Sequence, residues 1–164
     1  MLPDVLAQNL KVVFCGTAAG ERSARLQQYY AGHSNKFWRT IFQIGLTPKQ
    51  LLPHEFKHLL SFGIGLTDLV KGKSGMDFNL SSSDFGNTGL VEKIQKYQPT
   101  YLCFNGKKAG KEFLLTDFVD YGIQKKKIGT TKLFIAPSTS SAANKWWDFY
   151  IWQELANYVK NVSV

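Results

Sequence analysis

The feature that most limits the fold of this chain is a regular alternation of short apolar runs with helical patterns. The runs KVVFCG (11–16), GIGLTDLV (63–70), TYLCFNG (100–106) and KLFIAPS (132–138) are too short for helices, and each contains or meets a turn residue near its end. None alternates cleanly between apolar and polar residues, the pattern of strands covered on both faces of a parallel sheet. Between them, Ser34 is placed to cap a helix in which Phe37, Ile41 and Ile44 share a face, and Pro53 precedes HEFKHLL (54–60). GLVEKIQKY (89–97) stops at Pro99, and KAGKEFLLTDF (108–118) reads as another helix. A terminal helix over 144–160 carries Trp147, Ile151, Leu155 and Tyr158 as its apolar stripe. This order predicts an α/β fold, a three-layer sandwich around a central, mostly parallel four-stranded sheet, as one domain over 1–164. The polar stretch 72–87 reads as a surface loop.

Composition matters here for two reasons. Hydrophobic residues make up 44% of the chain, enough for one sizeable core. The formal charge is +8, which favours a polyanion as partner, nucleic acid before an anionic membrane surface; the alternative is a basic surface that only aids solubility. Cys15 and Cys103 sit inside apolar runs, without neighbours at metal-ligand spacing, and read as buried reduced thiols. No signal-peptide pattern and no apolar run of about 18 residues is present, so a soluble, cytoplasmic protein that does not use a membrane is expected.

In such a fold, ligands sit outside the carboxyl ends of the strands. That rule selects GTAAGERSA (16–24), TDLVKGKSGMD (67–77), NGKKAG (105–110) and PSTSSAANK (137–145). All are rich in small residues, and such backbone suits a phosphate or a close-packed base. The first lacks dinucleotide-fingerprint spacing and the third lacks a Walker frame. HEFKH (54–58) matches H-E-x-x-H literally. However, no later His exists, and a third ligand would have to come from Asp77, Asp84 or another distant carboxylate; the histidines read better as the solvated face of a short helix.

The blocks VVFCGTAAGERSA, YYAGHSNKFWRTIFQIGLTP, GIGLTDLVK, FNGKKA and IAPSTSSAANK together resemble the uracil-DNA glycosylase superfamily, in family order from about Lys11 to Lys145. The mismatch-specific uracil/thymine DNA glycosylases are the well-known branch most similar to it. The resemblance implies an enzyme that flips a damaged base out of DNA and cleaves its N-glycosidic bond, with no metal and no cofactor. It also implies DNA with a damaged or mismatched base as partner, and we expect a monomer acting at the bacterial nucleoid.

Within that resemblance, Gly16, Thr17 and Ala18 form the turn that receives the base, and Tyr30 supplies a stacking face, unless it is an ordinary core tyrosine. Asp68 reads the base edge or holds the pocket loop; capping a helix or pairing with Lys71 are the alternatives. Asn105 is the further base-site candidate. Ser138, Thr139, Ser140 and Ser141 match the loop that enters the minor groove, with Lys145 and Lys107 adding charge. A Ser/Thr-rich helix start is compatible with that role.

One departure stands out. The mismatch-specific enzymes place Asn, which positions the attacking water, where this chain has Ala18. GTAAG with PSTSSAA is more similar to a branch that includes hypoxanthine-directed enzymes, so uracil and hypoxanthine are rival substrates. Asn35 is the first candidate to replace the missing amide, unless it only starts a helix. His33 follows, then Ser23 and Asp77. Two other functions stay open: a lesion-binding protein without turnover, and an α/β enzyme on a phosphorylated small molecule.

Overall fold

The structure, a computed structural model, describes residues 2–70 and 85–163. Lys71, Asp77, Asp84 and nearly all of the 72–87 stretch lie outside the described residues. The elements in order are β1 (Val12–Gly16), α1 (Glu21–Leu26), α2 (Phe37–Gln43), a 3₁₀ segment (Pro53–Phe62), β2 (Ile64–Asp68), α3 (Thr88–Tyr97), β3 (Tyr101–Asn105), α4 (Lys107–Leu114), β4 (Gly122–Ile128), β5 (Thr131–Ala136), a second 3₁₀ segment (Ser141–Trp146) and α5 (Phe149–Lys160).

The four apolar runs are β1, β2, β3 and β5, all mutually parallel, and every residue of β1 and β2 is buried. The sheet has five strands, in the order β2-β1-β3-β5-β4. The fifth strand was not expected from the sequence. GIQKKKI lacks an apolar run because β4 is an edge strand, antiparallel to β5, with Lys125, Lys126 and Lys127 exposed. Charged residues on an edge protect it from pairing with another sheet, so part of the basic composition serves this end. The β4–β5 hairpin turns through Gly129, whose φ of +57° suits glycine.

Helices cover both faces of the sheet. One core layer joins Phe14, Phe37, Ile41, Trp152 and Leu155, so it lies beneath α2 and α5. The other joins Val13, Leu90, Ile94, Leu102 and Phe113, beneath α3 and α4. Phe14 packs edge-on to Phe37 at 5.2 Å and stacks on Trp152 at 5.6 Å. Burying each such ring contributes about 1.5–3 kcal/mol, so this cluster anchors the base of β1 where the site begins.

Several local boundaries differ from expectation, each for a polar reason. Ser34 does not cap α2; its hydroxyl donates to Ser141, and the Asn35 side chain accepts the Phe37 N–H instead. The terminal helix starts later, at Phe149, because Asp148 caps it by accepting from the Tyr150 N–H. Its buried stripe is therefore Trp152, Leu155, Ala156 and Val159, while Trp147 precedes the helix. α4 ends at Leu114, where Leu115 turns left-handed. α1 was missed because its ERSARL sequence buries only Ser23. His54 and His58 are exposed on their 3₁₀ segment, and Glu55 accepts the Leu52 N–H. Among the described residues, no three His, Cys, Asp or Glu side chains group as a metal site.

Candidate functional site

The carboxyl ends of the parallel strands β2, β1, β3 and β5 converge on one cleft of about 380 Å³. It is lined by Gly16–Gly20 after β1, Asp68 at the end of β2, Asn105 at the end of β3 and Ser138–Ser141 after β5. A volume of this size suits a small ligand or a single base. The strand order explains its position: β1 connects outward to β2 while β3 lies on its other side, which opens a crevice at the switch point.

The floor is built at Gly16. A side chain there would begin 3.0 Å from Asp68 Oδ1, tight enough to displace that oxygen, and at an ordinary contact distance of 3.5 Å from Tyr30 Oη. The β1–β2 ladder continues past the strands, because the Leu69 N–H donates to the Gly16 carbonyl and the Val70 N–H to that of Thr17. The Ala18 and Ala19 N–H groups donate to no described residue. They are therefore the backbone donors that the turn can offer to a ligand.

Tyr30 is half-buried and stacks one ring face on Phe37, with centroids 4.1 Å apart. Only the other face remains for a base. Its φ is +51°, a left-handed conformation that is unusual for a bulky residue, and its neighbours are pinned to hold it. The Trp38 indole donates to the Tyr29 carbonyl at 3.0 Å. The Ala31 N–H donates to Ser23 Oγ at 2.9 Å, and Arg22 Nε donates to the Ala31 carbonyl at 3.0 Å. Ser23 is thus a brace for the Tyr30 turn. Arg22 lines the same cleft and was not singled out from the sequence, since it sits in a short polar helix with no motif to mark it.

The Tyr30 hydroxyl is buried, and the Asn105 side chain is the group placed to hydrogen-bond with it, at a looser geometry than the other bonds of the site. Burial, then the Asp68 carboxylate, push its pKa well above the ordinary value, while the Asn105 side chain pulls the other way. At neutral pH it keeps its proton and remains a donor.

The opposite wall is two loops sewn together. Asn105 Nδ2 donates to Thr139 Oγ1 at 2.9 Å, and the Thr139 N–H donates back to Asn105 Oδ1 at 3.0 Å. The Lys36 N–H donates to the Thr139 carbonyl at 2.9 Å, and the Ser34 and Ser141 hydroxyls meet at 2.8 Å. Lys36 Nζ donates to Asn144 Oδ1 and lies over the Trp147 ring. Burial, then nearby Arg39, lower the Lys36 pKa.

The cleft therefore brings together Gly16, Thr17, Ala18, Ser23, Tyr30, Asn35, Asp68, Asn105, Ser138, Thr139, Ser140 and Ser141. His33 is exposed and not among its lining residues. Lys107 leans over the Tyr121 ring and Lys145 over that of Trp146, both outside the lining. Cys15 and Cys103 are buried and are not disulfide-bonded.

A family model described as the uracil DNA glycosylase superfamily matches residues 3–156, and the chain belongs to that superfamily. Among solved structures, the chain is similar to a solution NMR structure from Methanosarcina acetivorans, a protein given there as a "putative Uracil DNA glycosylase". The two are 25% identical with a TM-score of 0.62, over 98% of this chain and 97% of the other.

Proposed function

Taking membership of the uracil DNA glycosylase superfamily as the premise, we propose that this chain removes a deaminated base, uracil or hypoxanthine, from DNA and leaves an abasic site. The observation that carries this reading is the convergence of Gly16, Tyr30 and Asp68 on the floor of one base-sized cleft. A flipped base needs a stacking face and polar contacts to its pairing edge. The free face of Tyr30 provides the first, and Asp68 with the 18–19 backbone provides the second.

Cleavage proceeds largely by dissociation. The bond between base and sugar lengthens, the sugar gains oxocarbenium character, and electrons pass to the leaving base. Fixed donors that meet this developing negative charge lower the barrier without reorganising. The Ala18 and Ala19 N–H groups, which donate to no described residue in a turn that lines the cleft, support giving them that task. Water then adds to the sugar carbon, and its proton passes to the departed anionic base or to solvent. Asn35 lines the cleft, and because its Oδ1 accepts the Phe37 N–H, its Nδ2 is the amide group left to meet a water. An amide there can orient the water but is too weak a base to take its proton, so the rate rests mainly on the leaving group.

The same commitment of Asn35, together with Ala18, favours a second reading: a lesion-binding protein with little turnover. One experiment separates the two. Oligonucleotides carrying uracil or hypoxanthine are incubated with excess protein and then treated with alkali to cut abasic sites. Strand scission with either base is expected. Tight, salt-sensitive binding with intact strands for both would support the second reading instead.

A further inference from the structure

Beside the cleft the chain carries two adjacent tryptophans with opposite fates. Trp147 is half-buried, packs against Trp152 at 6.1 Å and lies under Lys36 Nζ, which also donates to Asn144 Oδ1. Trp146 is 58% exposed, and Lys145 Nζ stands 5.6 Å from the centre of its ring. The other described lysine–ring pairs use rings that are buried or half-buried. Tyr150, four residues further on, is 81% exposed, so two large rings leave the core within one short stretch. The cleft wall fixes where this stretch lies. Ser141 lines the cleft and begins the 3₁₀ segment that Trp146 ends. At about 2 Å of rise per residue, the steps between them span roughly 10 Å. The segment is tied down by the bond between the Ser34 and Ser141 hydroxyls and by the bond from Lys36 to Asn144.

We propose that Trp146 is a stacking platform for an unpaired base on the strand that enters the cleft, so that this surface engages single-stranded rather than duplex DNA. This inference rests on the glycosylase reading and adds the form of DNA that the chain holds. Every base has a π face, so an indole stacks on any of them whatever the sequence. Inside a duplex those faces are already stacked on their neighbours. An exposed ring beside the cleft therefore gains a base where the strand is unpaired. Lys145 supplies a charge for the phosphate next to the stacked base, and the net charge of +8 suits a polyanion at this surface. Roughly 10 Å corresponds to about three nucleotide steps of about 3.4 Å, so the base on Trp146 lies that far along the strand from the one in the cleft. The segment is braced before DNA arrives, so little ordering is needed on binding.

The test measures binding of the whole chain to short, labelled single strands of equal length. Each has an abasic spacer at its centre, flanked either by thymidines or by further spacers. Both strands carry the same phosphates and neither offers a central base, so a difference in affinity reports stacking at the flanks. We expect wild type to bind the thymidine strand about tenfold more tightly than the all-spacer strand. Trp146→Ala and Trp146→Leu, which lack a flat ring, should erase most of that gap, and Trp146→Phe should keep much of it. The slope of log affinity against log salt should stay the same, because the phosphate contacts remain. A duplex with the same central spacer should bind Trp146→Ala nearly as well as wild type. Equal wild-type binding of the two single strands overturns the inference. An unchanged gap in Trp146→Ala and Trp146→Leu also overturns it and leaves the ring to a protein contact. An equal loss on single strand and duplex overturns it by assigning Trp146 to the duplex. Should both variants melt far below wild type, the wild-type comparison of the two single strands decides alone. Base release from uracil or hypoxanthine DNA alongside a negative result removes only this inference; no DNA binding and no base release removes the glycosylase reading as well.

Discussion

Asn105 and Thr139 hold each other by two reciprocal hydrogen bonds, side chain to side chain at 2.9 Å and backbone N–H to side chain at 3.0 Å. Through them the end of β3 fixes the loop after β5, and the buried Thr139 passes that order to Lys36, whose N–H donates to the Thr139 carbonyl. Asn105→Ala breaks both bonds and strands polar groups on Thr139, at a cost of about 1–3 kcal/mol. Thr139→Val keeps the backbone bond and is expected to cost less. Denaturant melts of both variants check the order; equal stabilities would mean that the clamp is not cooperative.

Asn35 combines a local bond to the Phe37 N–H at the start of α2 with a cleft position, and two substitutions separate them. Asn35→Ala loses the bond from the Phe37 N–H, for about 0.5–2 kcal/mol. Asn35→Asp keeps an acceptor there and should retain wild-type stability. Both are expected to slow single-turnover base release by roughly ten- to a hundredfold, because both remove the amide N–H groups. Full activity in either variant would end the case for Asn35 as the substitute for the missing motif amide.

Arg22 lines the cleft with its Nε spent on the Ala31 carbonyl, leaving its terminal N–H groups for a partner. If they meet a phosphate of the flipped strand, Arg22→Gln weakens DNA binding and lowers the slope of log affinity against log salt by about one. An unchanged slope with slower base release would place the guanidinium on the leaving base instead.

Alkaline stability should report the buried tyrosines. Burial and then Asp68 raise the pKa of both Tyr29 and Tyr30, so the folded chain holds their protons where the unfolded chain loses them. Above the ordinary tyrosine pKa of about 10 the unfolded state binds fewer protons, so stability falls as pH rises, and the contribution is fully present below that point. Denaturation from pH 8 to 11 should show this fall, and Tyr30→Phe should flatten it. An identical slope in wild type and variant would mean that the Tyr30 hydroxyl titrates normally.

What the sequence determined by itself is whatever repeats along the chain. Apolar runs of strand length alternating with amphipathic stretches called for a mostly parallel sheet between helices, and four of its five strands lie where those runs do. The small-residue segments after those runs marked the cleft, because a parallel sheet places all their ends on one side. Edge strand β4 and helix α1 were not legible, since each buries too little to leave an apolar pattern. Within the site, Gly16, Tyr30 and Asp68 could be named as candidates, but their convergence could not. Left-handed Tyr30, its occupied ring face and its buried hydroxyl all depend on Phe37, Ser23, Arg22 and Trp38. Those contacts are set by packing between elements, and packing decides where a hydroxyl points in a way that local sequence does not.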